Sequence, residues 1–104
     1  MESYGAQPLG TPRLAITTEH ETPGGWWYSI EAAEGAEDRT IRLTLSWADH
    51  DHWSGGAQRP SHVAEACLRV IVEHLGVAAL PDRLDCARGR RLIHDFDERV
   101  RARL

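Results

Sequence analysis

Two runs of the chain, residues 26–33 and 40–47, alternate apolar and polar side chains with a period of two. This period is typical of strands with one buried face, because successive strand side chains point to opposite faces of a sheet. A polar stretch with a glycine, residues 34–39, separates the runs, so the pattern predicts a β-hairpin. The apolar positions of its predicted inner face are Trp26, Tyr28, Ile30, Ala32, Ile41, Leu43, Leu45 and Trp47.

The alternation also predicts how the hairpin strands pair. Placing Trp26 opposite Trp47 and Ile30 opposite Leu43 makes every pair on the inner face apolar. A slip of one residue would set apolar side chains against polar ones, so we expect this register. Trp27 then lies on the polar outer face.

A third strand is predicted before the hairpin, at residues 13–20, because a proline- and glycine-rich turn at residues 21–25 separates it from Trp26. We expect it to pair with the hairpin so that Ile16 faces Ile30 and Thr18 faces Tyr28. The result is a three-stranded antiparallel β-meander with the strand from Trp26 at its centre.

Residues 61–75 carry a wide apolar stripe at helical spacing, with Pro60 and Gly76 suited to the two ends. We expect this helix to cover one face of the meander. Residues 82–104 are predicted to be a C-terminal helical segment whose last helix begins at Asp95. The fold class predicted is therefore α+β.

The length of 104 residues is that of one domain with a modest core. Residues 1–12 contain several glycines and prolines and are predicted to be a flexible leader. We expect residues 13–104 to form a single α+β domain.

Composition narrows the function classes. Hydrophobic residues make up 41% and charged residues 27% of the chain, which is ordinary for a globular protein. The net charge of -4 gives no bulk attraction to nucleic acid or to an anionic membrane. No apolar run approaches the ~18 residues of a membrane span, no secretory signal is evident, and two cysteines make no disulfide framework. A cytoplasmic location is expected.

The stretch Asp49–His52 follows the third strand and holds the candidate metal ligands. If the strand continued, His50 and His52 would point to one side, and His62 offers a third nitrogen for zinc. The alternative is a solvated loop in which Asp and Gly residues form turns. We expect no cofactor, with zinc as the alternative.

Catalytic signatures are missing from the sequence: it has no glycine-rich phosphate loop, nucleophile elbow or Cys-x-x-Cys motif. If the strands alternate regularly, His20 lies on the inner face with Trp26, Trp47 and Asp49. A His–Asp pair there would suit general acid–base catalysis. The alternative is a histidine at the rim of an aromatic core. No catalytic residue is predicted.

The C-terminal segment is rich in arginine but not strongly basic. Residues 61–104 contain eight basic and seven acidic side chains. Nucleic-acid binding requires a basic patch on one face, so a nucleic-acid accessory role remains only an alternative.

The sequence-based function hypothesis is a small non-enzymatic protein that acts through a protein partner or a homo-oligomer. An open-edged sheet invites pairing with another strand. Trp27, a large aromatic residue on a polar face, and Trp53 are the predicted partner contacts.

Overall fold

One four-stranded sheet, in the order β1-β2-β3-β4, organises residues 12–104, which are the residues described in this computed structural model. The predicted leader lies outside the described residues except for Pro12. The strands are β1 (Arg13–Thr22), β2 (Gly25–Glu34), β3 (Glu37–Ser46) and β4 (Arg83–Asp85). The helices are α1 (Trp47–Ser54), α2 (Pro60–Leu75), α3 (Gly89–Leu92) and α4 (Phe96–Ala102), with 3₁₀ turns at Val77–Ala79 and Cys86–Arg88. The α+β class and the antiparallel meander β1-β2-β3 are confirmed.

The core lies between the inner face of the sheet and α2. The inner face of β2 and β3, which carries Tyr28 and Leu43, is almost fully buried, and both of these side chains are 0% exposed. The helix predicted at residues 61–75 is confirmed, with Pro60 in its first turn and Gly76 after its last residue. Burying a large apolar side chain contributes about 1.5–3 kcal/mol, so this layer supplies most of the driving force for folding. The buried residues of α2 are Val63, Ala64, Ala66, Cys67, Leu68, Val70, Ile71 and Val72.

The register between β2 and β3 differs from the predicted one by two residues. Tyr28 pairs with Leu43 and Ile30 pairs with Ile41, whereas the sequence pattern placed Ile30 opposite Leu43. A two-residue shift leaves every side chain on its own face, so the pattern alone does not distinguish the two registers. The turn decides between them, because the strands run on to the pair Glu34–Glu37 and only Gly35, with φ of 60°, and Ala36 connect them.

A β-bulge at Thr17 changes the face of the second half of β1. Ile16 pairs with Ile30 as predicted, but Thr18 then pairs with Ser29 and His20 with Trp27. The predicted pairing of Thr18 with Tyr28 is therefore wrong, because a bulge inserts one unpaired residue and reverses the alternation after it. His20 moves to the outer face, and Glu19 and Glu21 take the inner face.

The C-terminal segment contains a strand that the sequence analysis assigned to a helix. β4 runs parallel to β3, with Leu84 buried opposite Leu43. The amide of Arg42 donates to the carbonyl of Asp82 at 2.8 Å, and Thr44 Oγ1 donates to Asp85 Oδ1 at 2.8 Å. Three residues are too few to show a strand period, which is why β4 was missed. The last helix follows Asp95 as predicted.

The core assignment predicts how single truncations change stability. We expect Leu43→Ala to lower the free energy of unfolding by ~2–5 kcal/mol, as leucine truncations in packed cores do. Thr40→Ala, on the outer face of the same strand, should change it by less than ~0.5 kcal/mol. Urea denaturation of both variants tests this, and similar losses would contradict the assignment of faces.

The observed register predicts specific proton contacts between β2 and β3. Nuclear Overhauser contacts between backbone protons should link Tyr28 with Leu43 and Ile30 with Ile41. Contacts linking Ile30 with Leu43 would instead support the register expected from the sequence.

Candidate interaction surface

The chain leaves the sheet at Ser46 and enters α1 at once. Ser46 has extended φ and ψ of -83° and 156°, and its Oγ accepts a hydrogen bond from the amide of Asp49 at 3.0 Å. This is an N-cap, with the Asp49 carboxylate in the positively polarised first turn. At the other end Gly55 adopts φ of 62°, and its amide donates to the Asp51 carbonyl at 2.7 Å. The Asp49–His52 stretch is therefore helical, neither an extended strand nor a loop.

The start of α1 places the side chain of Trp47 at the surface of the protein and not in the core. The strand alternation predicts a core position for Trp47 opposite Trp26, and that prediction is wrong. As the first residue of α1 it is 48% exposed, whereas Trp26 is 7% exposed. Within residues 12–104 no other large hydrophobic side chain is exposed. The motif Ser46-x-x-Asp49 is a capping signal from which the helix start could have been predicted.

Trp47 lies on Trp26 at the end of the sheet. The ring centroids are 4.5 Å apart with a tilt of 39°, and the Trp47 amide donates to the Gly24 carbonyl at 2.9 Å. Beside this contact, Gly25 permits the close approach of the β2 and β3 backbones, because a Cβ atom at that position would overlap the carbonyl oxygen of Leu45. Trp26 in turn meets the edge of His50 at a centroid distance of 5.2 Å. The exposed indole thus has a rigid aromatic support.

One carboxylate lies beside each tryptophan of this pair. Glu21 pairs with Trp26 across the strands on the inner face, which sets their Cβ atoms ~4.5–5.5 Å apart. Asp51 lies one helical turn after Trp47 and shares its side of α1. Both carboxylates are exposed, and neither joins an ion pair with another described residue. We call Trp26, Trp47, Glu21 and Asp51 the tryptophan patch.

Trp27 lies on the outer face, as its parity predicts, but both faces of its ring are occupied. The His20 ring from β1 stacks on it at 4.1 Å with an interplanar angle of 13°. The Arg42 guanidinium from β3, on the other flank, lies 4.0 Å from the ring centroid. Such contacts contribute about 0.5–1.5 kcal/mol each. Trp27 is therefore half-buried in a stack within its own sheet.

Trp53, the second predicted partner contact, is in the core. Its side chain is 3% exposed, its Nε1 donates to Asp97 Oδ1 at 2.8 Å, and its ring meets the Phe96 ring edge-on at 5.8 Å. It has no surface to offer a partner in this arrangement.

The three predicted metal ligands do not meet. His50 is 8% exposed and its Nε2 lies 2.7 Å from the Gln58 carbonyl oxygen. His52 lies on another side of α1, because side chains two residues apart on a helix are rotated by about 200°. Its Nε2 lies 3.0 Å from Nη2 of Arg101. His62 is half-buried in the first turn of α2. In residues 12–104 no three His, Cys, Asp or Glu side chains are grouped to hold a metal ion.

The suggested His20–Asp49 pair does not form either. His20 is on the outer face against Trp27, whereas Asp49 Oδ1 accepts from Arg90 Nη1 at 3.1 Å in the helical layer. The bulge in β1 and the helical start of α1 together separate the two residues.

A polar network ties α1 to the C-terminal helices. Arg90 bridges Asp49 and Asp97, with its Nε donating to Asp97 Oδ1 at 2.9 Å, and its guanidinium lies 4.8 Å from the Trp53 ring centroid. Burial on its own raises the pKa of Asp97. Hydrogen bonds from Trp53, Arg90 and His52, with the charge of Arg90, outweigh burial and hold that pKa below its usual value. The network positions α1, and with it Trp47.

Several other C-terminal arginines also contact groups of this chain. Arg99 pairs with Asp95 at 2.9 Å, Arg103 pairs with Glu73, and Arg101 reaches His52. These contacts leave less of the segment's positive charge available for a phosphate backbone.

No protein-family model, curated protein or solved structure matches this chain. Among the described residues, no helix is both long enough and apolar enough to cross a membrane. The function has to be inferred from the chain's own geometry.

The network predicts a change in acid stability. A lowered aspartate pKa stabilises the folded state fully above the ordinary value of about 3.9, and this contribution is lost as the pH falls through the lowered pKa. We expect Asp97→Asn to cost about 1–3 kcal/mol at pH 7, since charged hydrogen bonds disappear. The variant should also lose less stability than the wild type as the pH falls below about 4.

Asp95→Asn is the matched control for this experiment. It removes one carboxylate from an exposed pair on the same helix, which contributes only ~0–1 kcal/mol. Denaturation curves at a series of pH values provide the measurement. Equal effects of the two substitutions would show that Asp97 has no special role.

Proposed function

We propose that this chain is a small non-enzymatic protein that acts by binding a protein partner through the tryptophan patch. The observation that carries the proposal is the exposed indole of Trp47, which is 48% accessible and packs at a tilt against the buried Trp26. A cytoplasmic location belongs to the same proposal, and the two buried free cysteines, Cys67 and Cys86, suit a reducing compartment.

Energetics favour Trp47 as the anchor. Tryptophan is enriched among residues that dominate binding energy, and a central one contributes ~2 kcal/mol or more when it becomes desolvated. Because Trp26 and the helix start hold the ring in place, little conformational entropy is lost on binding. Trp27, with both ring faces already occupied, has less surface to add.

The neighbouring strand adds a second recognition element. β1 is an edge strand of ten residues, and within the described part of the chain nothing pairs with its free side. Glu21 of the patch belongs to this strand. An extended partner segment could add to the edge through backbone hydrogen bonds, while Trp47 supplies a side-chain anchor.

A matched pair of tryptophan substitutions tests the proposal. We expect Trp47→Ala and Trp27→Ala each to lower the free energy of unfolding by about 1–3 kcal/mol, since each loses part of its packing. Only Trp47→Ala should abolish binding. Thermal denaturation measures the first effect. Affinity capture from an extract of the source cells, with sedimentation velocity on the purified chain, measures the second.

The control separates loss of a contact from loss of the fold. If Trp27→Ala weakens binding as much as Trp47→Ala at similar stability, the effect is general destabilisation. Partner capture that persists at full strength in Trp47→Ala would rule out the tryptophan patch as the binding surface.

A further inference from the structure

The electrostatics of the tryptophan patch indicate the chemistry of its partner. Glu19 and Glu21 both lie on the inner face of β1, which the bulge at Thr17 brings about, and both are exposed. Asp51 lies one helical turn after Trp47, on the same side of α1. Arg90, which contacts Asp49 in the first turn of that helix, is engaged by two carboxylates. Among the described residues, no cationic side chain forms an ion pair with Glu19, Glu21 or Asp51.

An indole face beside carboxylates is a favourable place for a positive charge. Among aromatic side chains, the tryptophan ring attracts a cation over its face most strongly. Trp27 already has such a cation within the sheet, where Arg42 lies 4.0 Å from the ring centroid. No cationic side chain among residues 12–104 lies over the Trp47 ring, so a cation from a partner can take that place.

The edge strand sets the spacing of the partner's charges. In a segment that pairs with β1, side chains two residues apart point to the same face. Two basic residues at alternate positions would thus lie opposite Glu19 and Glu21, where opposite charges across a sheet stabilise each other.

Self-pairing of β1 lacks this complementarity. In an antiparallel pairing of two copies, the inner-face carboxylates of one copy would meet the inner-face residues Leu14 and Ile16 of the other. In a parallel pairing, Glu19 and Glu21 would lie beside their own equivalents. A second copy is therefore a poorer occupant than a basic segment.

On this basis, and resting on the proposed function, we propose that the partner presents an extended segment with lysine or arginine at alternate positions. One of its cations lies against Trp47 between Glu21 and Asp51, and the segment adds to the free edge of β1. The tryptophan patch is thus a binding site for extended basic peptides.

Three synthetic peptides that differ only in the side chain at alternate positions provide the probe. One alternates threonine with lysine, the second replaces lysine by the uncharged norleucine, and the third replaces it by glutamate. Fluorescence anisotropy of the labelled peptides measures binding to the full chain. We expect the lysine peptide to bind at least about tenfold more tightly than the norleucine peptide at low salt, the equivalent of about 1.4 kcal/mol. The preference should diminish as salt screens the charges.

Two double variants with the same change of net charge locate the site. Glu21→Gln with Asp51→Asn should weaken binding of the lysine peptide about tenfold or more, the equivalent of about 1.4 kcal/mol. Glu31→Gln with Asp38→Asn, on the outer face of the sheet, should leave it nearly unchanged. All four positions are exposed or at the surface, so the variants should fold, which circular dichroism checks.

The outcomes distinguish this inference from the proposed function. Equal weakening by both double variants would mean attraction to net charge alone and would overturn the inference, as would failure of the lysine peptide to bind. If the norleucine peptide binds equally well and Trp47→Ala abolishes its binding, the patch binds a partner but not a basic one. A dimer that Trp47→Ala dissociates would identify a second copy as the occupant; the proposed function would survive and the inference would fail.

Discussion

Packing of α2 against the inner face of the sheet is the interaction on which the other elements depend. A small antiparallel sheet is only marginally stable by itself, because its backbone hydrogen bonds replace equally good ones to water. α2 contributes eight buried side chains to the core, and on the sheet side of that core Tyr28 and Leu43 lose all contact with solvent. The remaining elements are added to this two-layer core: β4 at the edge of β3, and the short helices around α2.

The interaction surface arises from the transition at Ser46, where the chain stops being a strand. Had the strand continued, Trp47 would have faced the core with Leu45 and Ile41. The hydroxyl of Ser46 instead satisfies the amide of Asp49, and the chain turns into α1. The buried ring of Trp53 and its bond to Asp97 hold that helix on the core. Trp53 is buried two residues before the C-cap Gly55, while Trp47 at the other end of the helix is exposed.

The two tryptophans of β2 illustrate how much of the site was predictable. Parity correctly separated Trp26 from Trp27, because a side chain's face follows from its position in the strand. The alternation did not predict that His20 and Arg42 occupy both faces of the Trp27 ring, because this stack needs side chains from three different strands. The candidate surface therefore moved from Trp27 and Trp53 to Trp47. The capping motif at Ser46 was the one local signal for this change.

The sequence by itself determined the properties that depend on local periodicity: the alternating faces of β2 and β3, the apolar stripe of α2, and hence the α+β class. Contacts between distant residues decided the rest. The two-residue turn after Glu34 selected the register of β3, and the bulge at Thr17 moved His20 outward and two glutamates inward. Parallel pairing with β3 made residues 83–85 a strand. The physical reason is that a pattern of hydrophobicity states which face is buried, whereas register, bulges and short strands depend on which partner each backbone group finds.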